Sequence, residues 1–176
     1  MNTTIFGGSS PKPGSTPYQQ AYELGQLLAK AGHTVLTGGY MGIMEAVSRG
    51  SAEAGGHVIG VTCNEIEKWR PTQANSWVNE ERCFPTLQDR LHELIFNCDA
   101  AMALPGGPGT LTEISLTWNL IAIHALPKKP LILIGNEWYK VIMSMYSTLD
   151  QYIPPSQRDL LLFAKDNYEA CSILKP

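Results

Sequence analysis

Charge is scarce in this sequence. Asp, Glu, Lys and Arg make up 16% of its 176 residues, against about 25% in ordinary soluble proteins. Neither sign dominates, since 13 basic and 16 acidic side chains leave a formal charge of −3. Without a basic excess the chain is not built to hold a nucleic-acid polymer by its phosphates. Cysteine is sparse as well. Cys63, Cys83, Cys98 and Cys171 form no C-x-x-C pair and have no histidine at zinc spacing, which argues against a disulfide framework and for reduced thiols in a cytoplasmic protein. His33, His57, His92 and His124 share no ligand spacing either, so no metal site is expected. No apolar run approaches the ~18 residues that would cross a membrane. The opening Met1-Asn2-Thr3-Thr4-Ile5-Phe6 lacks the basic and apolar regions of a secretory leader. Two nucleotide fingerprints are missing: neither G-x-G-x-x-G nor G-x-x-x-x-G-K-[ST] occurs, which sets aside NAD-type and P-loop ATPase chemistry.

What the chain has is apolar residues, 44% of the total, arranged in a regular alternation. Short β-branched or apolar runs (Thr3–Phe6, His33–Leu36, Val58–Val61, Ala100–Leu104, Pro130–Ile134) predict strands. Between them, apolar residues at i, i+3, i+4 predict helices over Tyr18–Ala31, Ile43–Ala54, Thr86–Phe96, Thr110–His124, Glu137–Leu149 and Asn167–Leu174. Thr16 is the expected N-cap of the first helix, with Pro17 at its first position and Gly32 just beyond its end. Residues 63–85 show no firm period and are expected to form an irregular excursion. Alternating strands and helices imply a Rossmann-like, doubly wound α/β fold, a parallel sheet with helices on both faces. The length suits one domain over residues 1–176.

Glycine marks where the chemistry should lie. Gly7-Gly8-Ser9-Ser10, Gly38-Gly39 with Gly42, and Pro105-Gly106-Gly107-Pro108-Gly109-Thr110 each follow a predicted strand. Ligands of open parallel sheets bind beyond the carboxyl ends of the strands. There a helix N-terminus offers free N–H groups and a partial positive charge, which together favour a phosphate. An anion on the N–H groups of Gly107, Gly109 and Thr110 is therefore expected, with Gly8, Ser9, Gly38 and Gly39 closing the pocket. Thr110-Leu111-Thr112-Glu113 also has the form of a capping box, so Glu113 has two readings: a cap, or a carboxylate beside the bound ligand. Arg90 likewise reads either as a surface arginine paired with Asp89 or Glu93 or as part of the site.

The run Pro105-Gly106-Gly107-Pro108-Gly109-Thr110-Leu111-Thr112-Glu113 resembles the P-G-G-x-G-T-x-x-E signature of the lonely-guy family, proteins often mislabelled lysine decarboxylases. Gly38-Gly39-Tyr40-Met41-Gly42-Ile43-Met44 resembles its G-G-x-x-G-x-M element, Leu87-Gln88-Asp89-Arg90 the context of its arginine, and Gly7-Gly8-Ser9-Ser10 its opening turn. The resemblance implies cleavage of the N-glycosidic bond of a nucleoside 5′-monophosphate, such as a cytokinin riboside monophosphate or AMP. It further implies Arg90 and Glu113 as the catalytic pair, no cofactor, and a homodimer or higher homo-oligomer. On this reading Arg90 keeps Glu113 ionised. Trp118, Leu120, Ile121, Ile123 and Leu126 make the helix from Thr110 apolar on more than one face, which suits burial within the subunit or against a partner. A related branch of the fold, the molybdenum-cofactor carriers, implies an alternative: a non-catalytic carrier of a nucleotide or pterin. Leu91, Thr112 and residues 63–85 depart from the cytokinin-activating pattern, and these departures bear on the base more than on the nucleotide site.

Overall fold

A computed structural model describes residues 1–174 of the chain. It shows seven parallel strands in the order β4-β3-β2-β1-β5-β6-β7. In chain order the elements are β1 (Asn2–Phe6), α1 (Thr16–Lys30), β2 (Thr34–Thr37), α2 (Ile43–Glu53), β3 (Val58–Cys63), α3 (Asn64–Trp69), β4 (Glu80–Phe84), α4 (Leu87–Phe96), β5 (Ala100–Ala103), α5 (Pro108–Ala122), β6 (Leu131–Ile134), α6 (Asn136–Thr148), α7 (Pro155–Arg158), β7 (Leu161–Ala164) and α8 (Asn167–Ile173). The strand order reverses direction at β1, which pairs with both β2 and β5. That reversal is the topological switch point, where a crevice opens between the diverging connections.

Alternation along each strand divides the core into two layers. Ile5, Val35, Met102, Ile132 and Ile134 face α1, α2 and α8, while Phe6, Leu36, Ala101, Ala103, Leu131 and Leu133 face α4, α5 and α6. Both faces of β5 and β6 are covered, which is why these strands are apolar throughout. No helix among the described residues is long and apolar enough to cross a membrane.

The structure departs from the sequence expectations in three places. Residues 63–85 are not irregular throughout: β3 runs through Cys63, α3 follows at once, and Glu80–Phe84 forms the edge strand β4. Strand β4 escapes a hydrophobic pattern because it carries Glu80, Glu81 and Arg82, the charges that keep a sheet edge from pairing with another chain. Strand β7 forms the opposite edge, between the helices expected over Glu137–Leu149 and Asn167–Leu174, where no element was expected. The caps also shift. Helix α5 starts at Pro108 with Gly107 as its N-cap, so Thr110 lies inside the helix, and α1 is preceded by Ser15 rather than Thr16. Gly32 does end α1, at a φ of 78° that a side chain would resist.

Candidate active site

The switch-point crevice is a cavity of about 390 Å³ lined by the turns after β1 and β5, by α3, and by Tyr40, Met44, Arg90 and Glu113. Backbone contacts fix its floor. The Gly8 N–H donates to the Pro105 carbonyl at 3.2 Å, and the Gly8 carbonyl accepts from the Ile43 N–H at 2.9 Å. The first turn of the sheet's central strand is thereby tied to the β5 turn and to the start of α2.

The predicted anion site divides into two groups. Gly8, Ser9, Gly107, Gly109 and Thr110 line the cavity. At the start of α5, Leu111 makes the first intrahelical bond, to the Gly107 carbonyl at 3.0 Å. Gly109 and Thr110 therefore have no carbonyl behind their N–H groups, and Pro108 has no N–H to waste there. A Cβ on Gly107 would meet nothing within 4 Å, since that side is open to the cavity.

Gly38, Gly39, Gly42 and Gly106 lie behind the cavity wall. They are glycine because other atoms occupy the place of a side chain. A Cβ on Gly106 would stand 2.2 Å from the Thr110 hydroxyl, and one on Gly42 would stand 2.6 Å from Gly8 and Ser9. At Gly38 the intruder would be Arg90 itself, whose Nη2 lies 2.0 Å from the Cβ position.

Arg90 is 5% exposed, so it is not a surface residue, and Glu93 pairs with Arg82 at 2.6 Å instead. The Arg90 Nε donates to the Val61 carbonyl at 2.7 Å and Nη2 to the Gly38 carbonyl at 3.2 Å. Its guanidinium lies 5.7 Å from the centre of the Tyr40 ring, within cation–π range. These contacts pin it across the ends of β2 and β3 with Nη1 aimed at Glu113, 3.8 Å from Oε1. Glu113 projects from α5 one turn beyond Thr110, about 4.5 Å along the axis. Its side chain is 12% exposed and its carboxyl makes no hydrogen bond to any described residue. It is therefore not a capping-box partner: the cap lies six residues back, beyond its reach.

The electrostatics of the pair run opposite to the simple ion-pair expectation. Burial raises the Glu113 carboxyl from an ordinary 4.5 to about 7, and Arg90 lowers it by less than burial raises it. At 3.8 Å, with no hydrogen bond, the guanidinium cannot replace the water that the carboxylate has lost. Burial thus brings the Glu113 carboxyl up toward neutral pH, where a group is suited to taking up and giving back a proton.

Two contributors escaped the sequence. Tyr40 is buried beneath Arg90, and its hydroxyl accepts from the Cys63 N–H at 2.8 Å, which ties the glycine turn to β3. Asn75 donates from its side chain to the carbonyls of Gly39 and Tyr40, both at 2.9 Å. Both stand in unpatterned sequence; only the position of Tyr40 within the glycine element hinted at a role. Helix α5 and the turn after it keep most of the apolar residues singled out in the sequence inside. Ile121 and Leu126 are buried, Trp118 and Leu120 half-buried, while Ile123 is 61% exposed. Among the described residues no three His, Cys, Asp or Glu converge as metal ligands.

The chain is 34% identical over 165 residues to a protein of Oryza sativa subsp. japonica named as a probable cytokinin riboside 5′-monophosphate phosphoribohydrolase, covering 92% of this chain and 72% of that one. It is 28% identical over 171 residues to the cytokinin riboside 5′-monophosphate phosphoribohydrolase of Rhodococcoides fascians, covering 94% and 84%. Among solved structures, the molybdenum cofactor carrier protein of Chlamydomonas reinhardtii superposes with a TM-score of 0.72 at 25% identity, over 98% of this chain and 94% of that one. The sequence model of the SLOG cluster4 family matches residues 1–154. With its glycine turns, arginine and glutamate brought together at the switch point, the chain belongs to the SLOG cluster4 family and, with its relatives, to the lonely-guy proteins.

Proposed function

We propose that the protein hydrolyses the N-glycosidic bond of a nucleoside 5′-monophosphate to a free base and ribose 5-phosphate, without cofactor or metal. The observation that carries this is Glu113: a buried carboxyl with no hydrogen-bond partner, one helical turn from a free helix N-terminus and 3.8 Å from a fixed guanidinium. A phosphate seated on Gly107, Gly109 and Thr110 sets the ribose beside that carboxyl. As the bond to the base lengthens, positive charge grows on the ribose C1′, and ionised Glu113 stabilises it. Glu113 also takes a proton from the attacking water, and the departing base takes up its proton from solvent water. The part of Arg90 is to orient Glu113 and to hold a ribose or phosphate oxygen. The names of the relatives support the reaction class and offer cytokinin riboside monophosphates as substrates, with AMP as the simplest purine to try.

Incubation with AMP followed by chromatography tests the proposal. Free adenine and ribose 5-phosphate should form, and Glu113→Gln should bind AMP but release neither. A second reading, a carrier of a nucleotide or of the molybdenum cofactor, is favoured by the likeness to the Chlamydomonas carrier. It takes over if the wild type turns over no nucleotide yet binds one. The exposed Leu111 on α5 and Ile123 just past its end support a homodimer, which light scattering at micromolar concentration would register as twice the monomer mass. The free thiols of Cys63, Cys83 and Cys98 are in keeping with a cytoplasmic location.

A further inference from the structure

The sequence contains five arginines, and four have acceptors. Arg49 pairs with Glu53, Arg82 with Glu80 and Glu93, Arg158 with Asp150, and Arg90 with two carbonyls. Arg70 is different. Its Nε is buried with no hydrogen-bond partner, and its guanidinium makes no hydrogen bond or ion pair to any described residue. Its backbone is nonetheless held, because Arg70 caps α3 and donates its N–H to the Ile66 carbonyl at 2.8 Å. The guanidinium lies 5.5 Å from the centre of the neighbouring Trp69 ring and lines the same cavity as Glu113 and the start of α5. A buried donor left without an acceptor is costly, so a group lodged here is expected to take its acceptor from whatever fills the cavity.

The topology indicates which part of a ligand that is. Helix α3 leaves the sheet from β3, and α5 leaves it from β5, with β2 and β1 between them. Three inter-strand spacings separate the two exits, about 14 Å at ~4.8 Å each. A nucleotide with its phosphate on α5 and its ribose at Glu113 therefore turns its base toward α3. This placement rests on the function proposed above.

We propose that Arg70 reads the base, and that the site takes 6-oxopurine nucleoside 5′-monophosphates in preference to 6-aminopurine ones. A guanidinium carries only donors. The O6 and N7 of a 6-oxopurine are two acceptors on one edge, spaced for its planar fork. A 6-aminopurine offers N7 but sets an N–H donor where O6 would be, and an N6-substituted cytokinin adds bulk at the same point. Trp69, 78% exposed beside the guanidinium, supplies an aromatic face next to the base.

Calorimetry on the Glu113→Gln protein, which leaves the ligand intact, tests the assignment with GMP, AMP and ribose 5-phosphate. GMP should bind about tenfold or more tighter than AMP, the discrimination a bidentate arginine contact confers. Adding Arg70→Ala should remove that preference and leave ribose 5-phosphate binding unchanged. Adding Arg70→Gln should turn the preference toward AMP, because an amide matches the N6–H and N7 of adenine. The assignment is overturned if AMP binds as tightly as GMP. It is equally overturned if Arg70→Ala weakens ribose 5-phosphate as much as GMP, which would make Arg70 a phosphate ligand. Binding in the order GMP before AMP, with no hydrolysis of either by the wild type, would remove the hydrolase reading and leave the base assignment standing. If neither nucleotide binds, both fall.

Discussion

Replacing Glu113 by glutamine should make the protein more stable, and increasingly so as pH rises. The carboxyl titrates at about 7 in the folded chain against an ordinary 4.5, so the folded state binds its proton more tightly than the unfolded state does. Below pH 4.5 both states are protonated and the site costs nothing. Between 4.5 and 7 the unfolded chain ionises first and is favoured. Above 7 the whole difference is felt, and 2.5 pH units correspond to ~3 kcal/mol against folding. A glutamine has the same shape and no charge to desolvate. Its advantage over the wild type should grow from under ~1 kcal/mol at pH 5 to ~3 kcal/mol at pH 8.5. For a chain of this length that is roughly 6–12 °C in Tm. Thermal unfolding of both proteins at the two pH values measures it directly. The opposite outcome, glutamine costing stability at pH 8.5 because an ion pair with Arg90 is lost, would refute the reasoning. It would mean that the guanidinium outweighs burial and that the carboxylate is held ionised.

The same carboxyl should govern the pH–rate profile: kcat/KM should rise with pH around a midpoint near 7, as ionised Glu113 becomes the prevailing form, and a flat profile between pH 6 and 8 would exclude it as the base. Gly107→Val should leave the Tm within a degree or two, because a Cβ there meets no protein atom, yet abolish AMP binding measured by calorimetry. Gly38→Ala should do the reverse of a silent change. Its methyl would stand 2.0 Å from the Arg90 Nη2, and the displaced guanidinium should lower kcat about tenfold or more, with KM less affected, in steady-state assays. Arg90→Lys should fail to restore activity. An ammonium cannot reach the Val61 and Gly38 carbonyls together and still face Glu113.

The sheet was legible because its strands are buried on both faces and its helices are amphipathic. Leu131–Ile134 and Ala100–Ala103 can hardly be anything but inner strands. The edge strand β4 was not, since its Glu80-Glu81-Arg82 run answers to edge protection rather than to core burial. Of the site, the turns and the Arg90–Glu113 pair could be picked out by residue type. Their division of labour could not. Nothing in the spelling of Gly38-Gly39 distinguishes a glycine that yields to a ligand from one that yields to an arginine 52 positions away. Nor could the sequence give the sign of the Glu113 shift, which depends on a 3.8 Å separation and on how much water the fold excludes. Asn75 and Arg70 lie in the 64–79 segment, which has no periodicity to follow, and Tyr40 in the glycine turn gives no sign of its tie to β3.

The tie between Gly8 and its two neighbours bears on how the cradle moves. Its N–H is held by the β5 turn and its carbonyl by the start of α2, and the strand that carries it pairs on both sides at the centre of the sheet. Such a turn has no local way to open. Releasing it requires β1 to part from β2 or β5, which is close to unfolding the whole protein. Amide hydrogens at Gly8 and Ile43 should therefore exchange at the slow rate of the sheet centre, while those of α3 exchange fast. A ligand in the cavity would find the β1 and β5 turns already assembled, and any adjustment on binding would fall to the α3 side of the cavity.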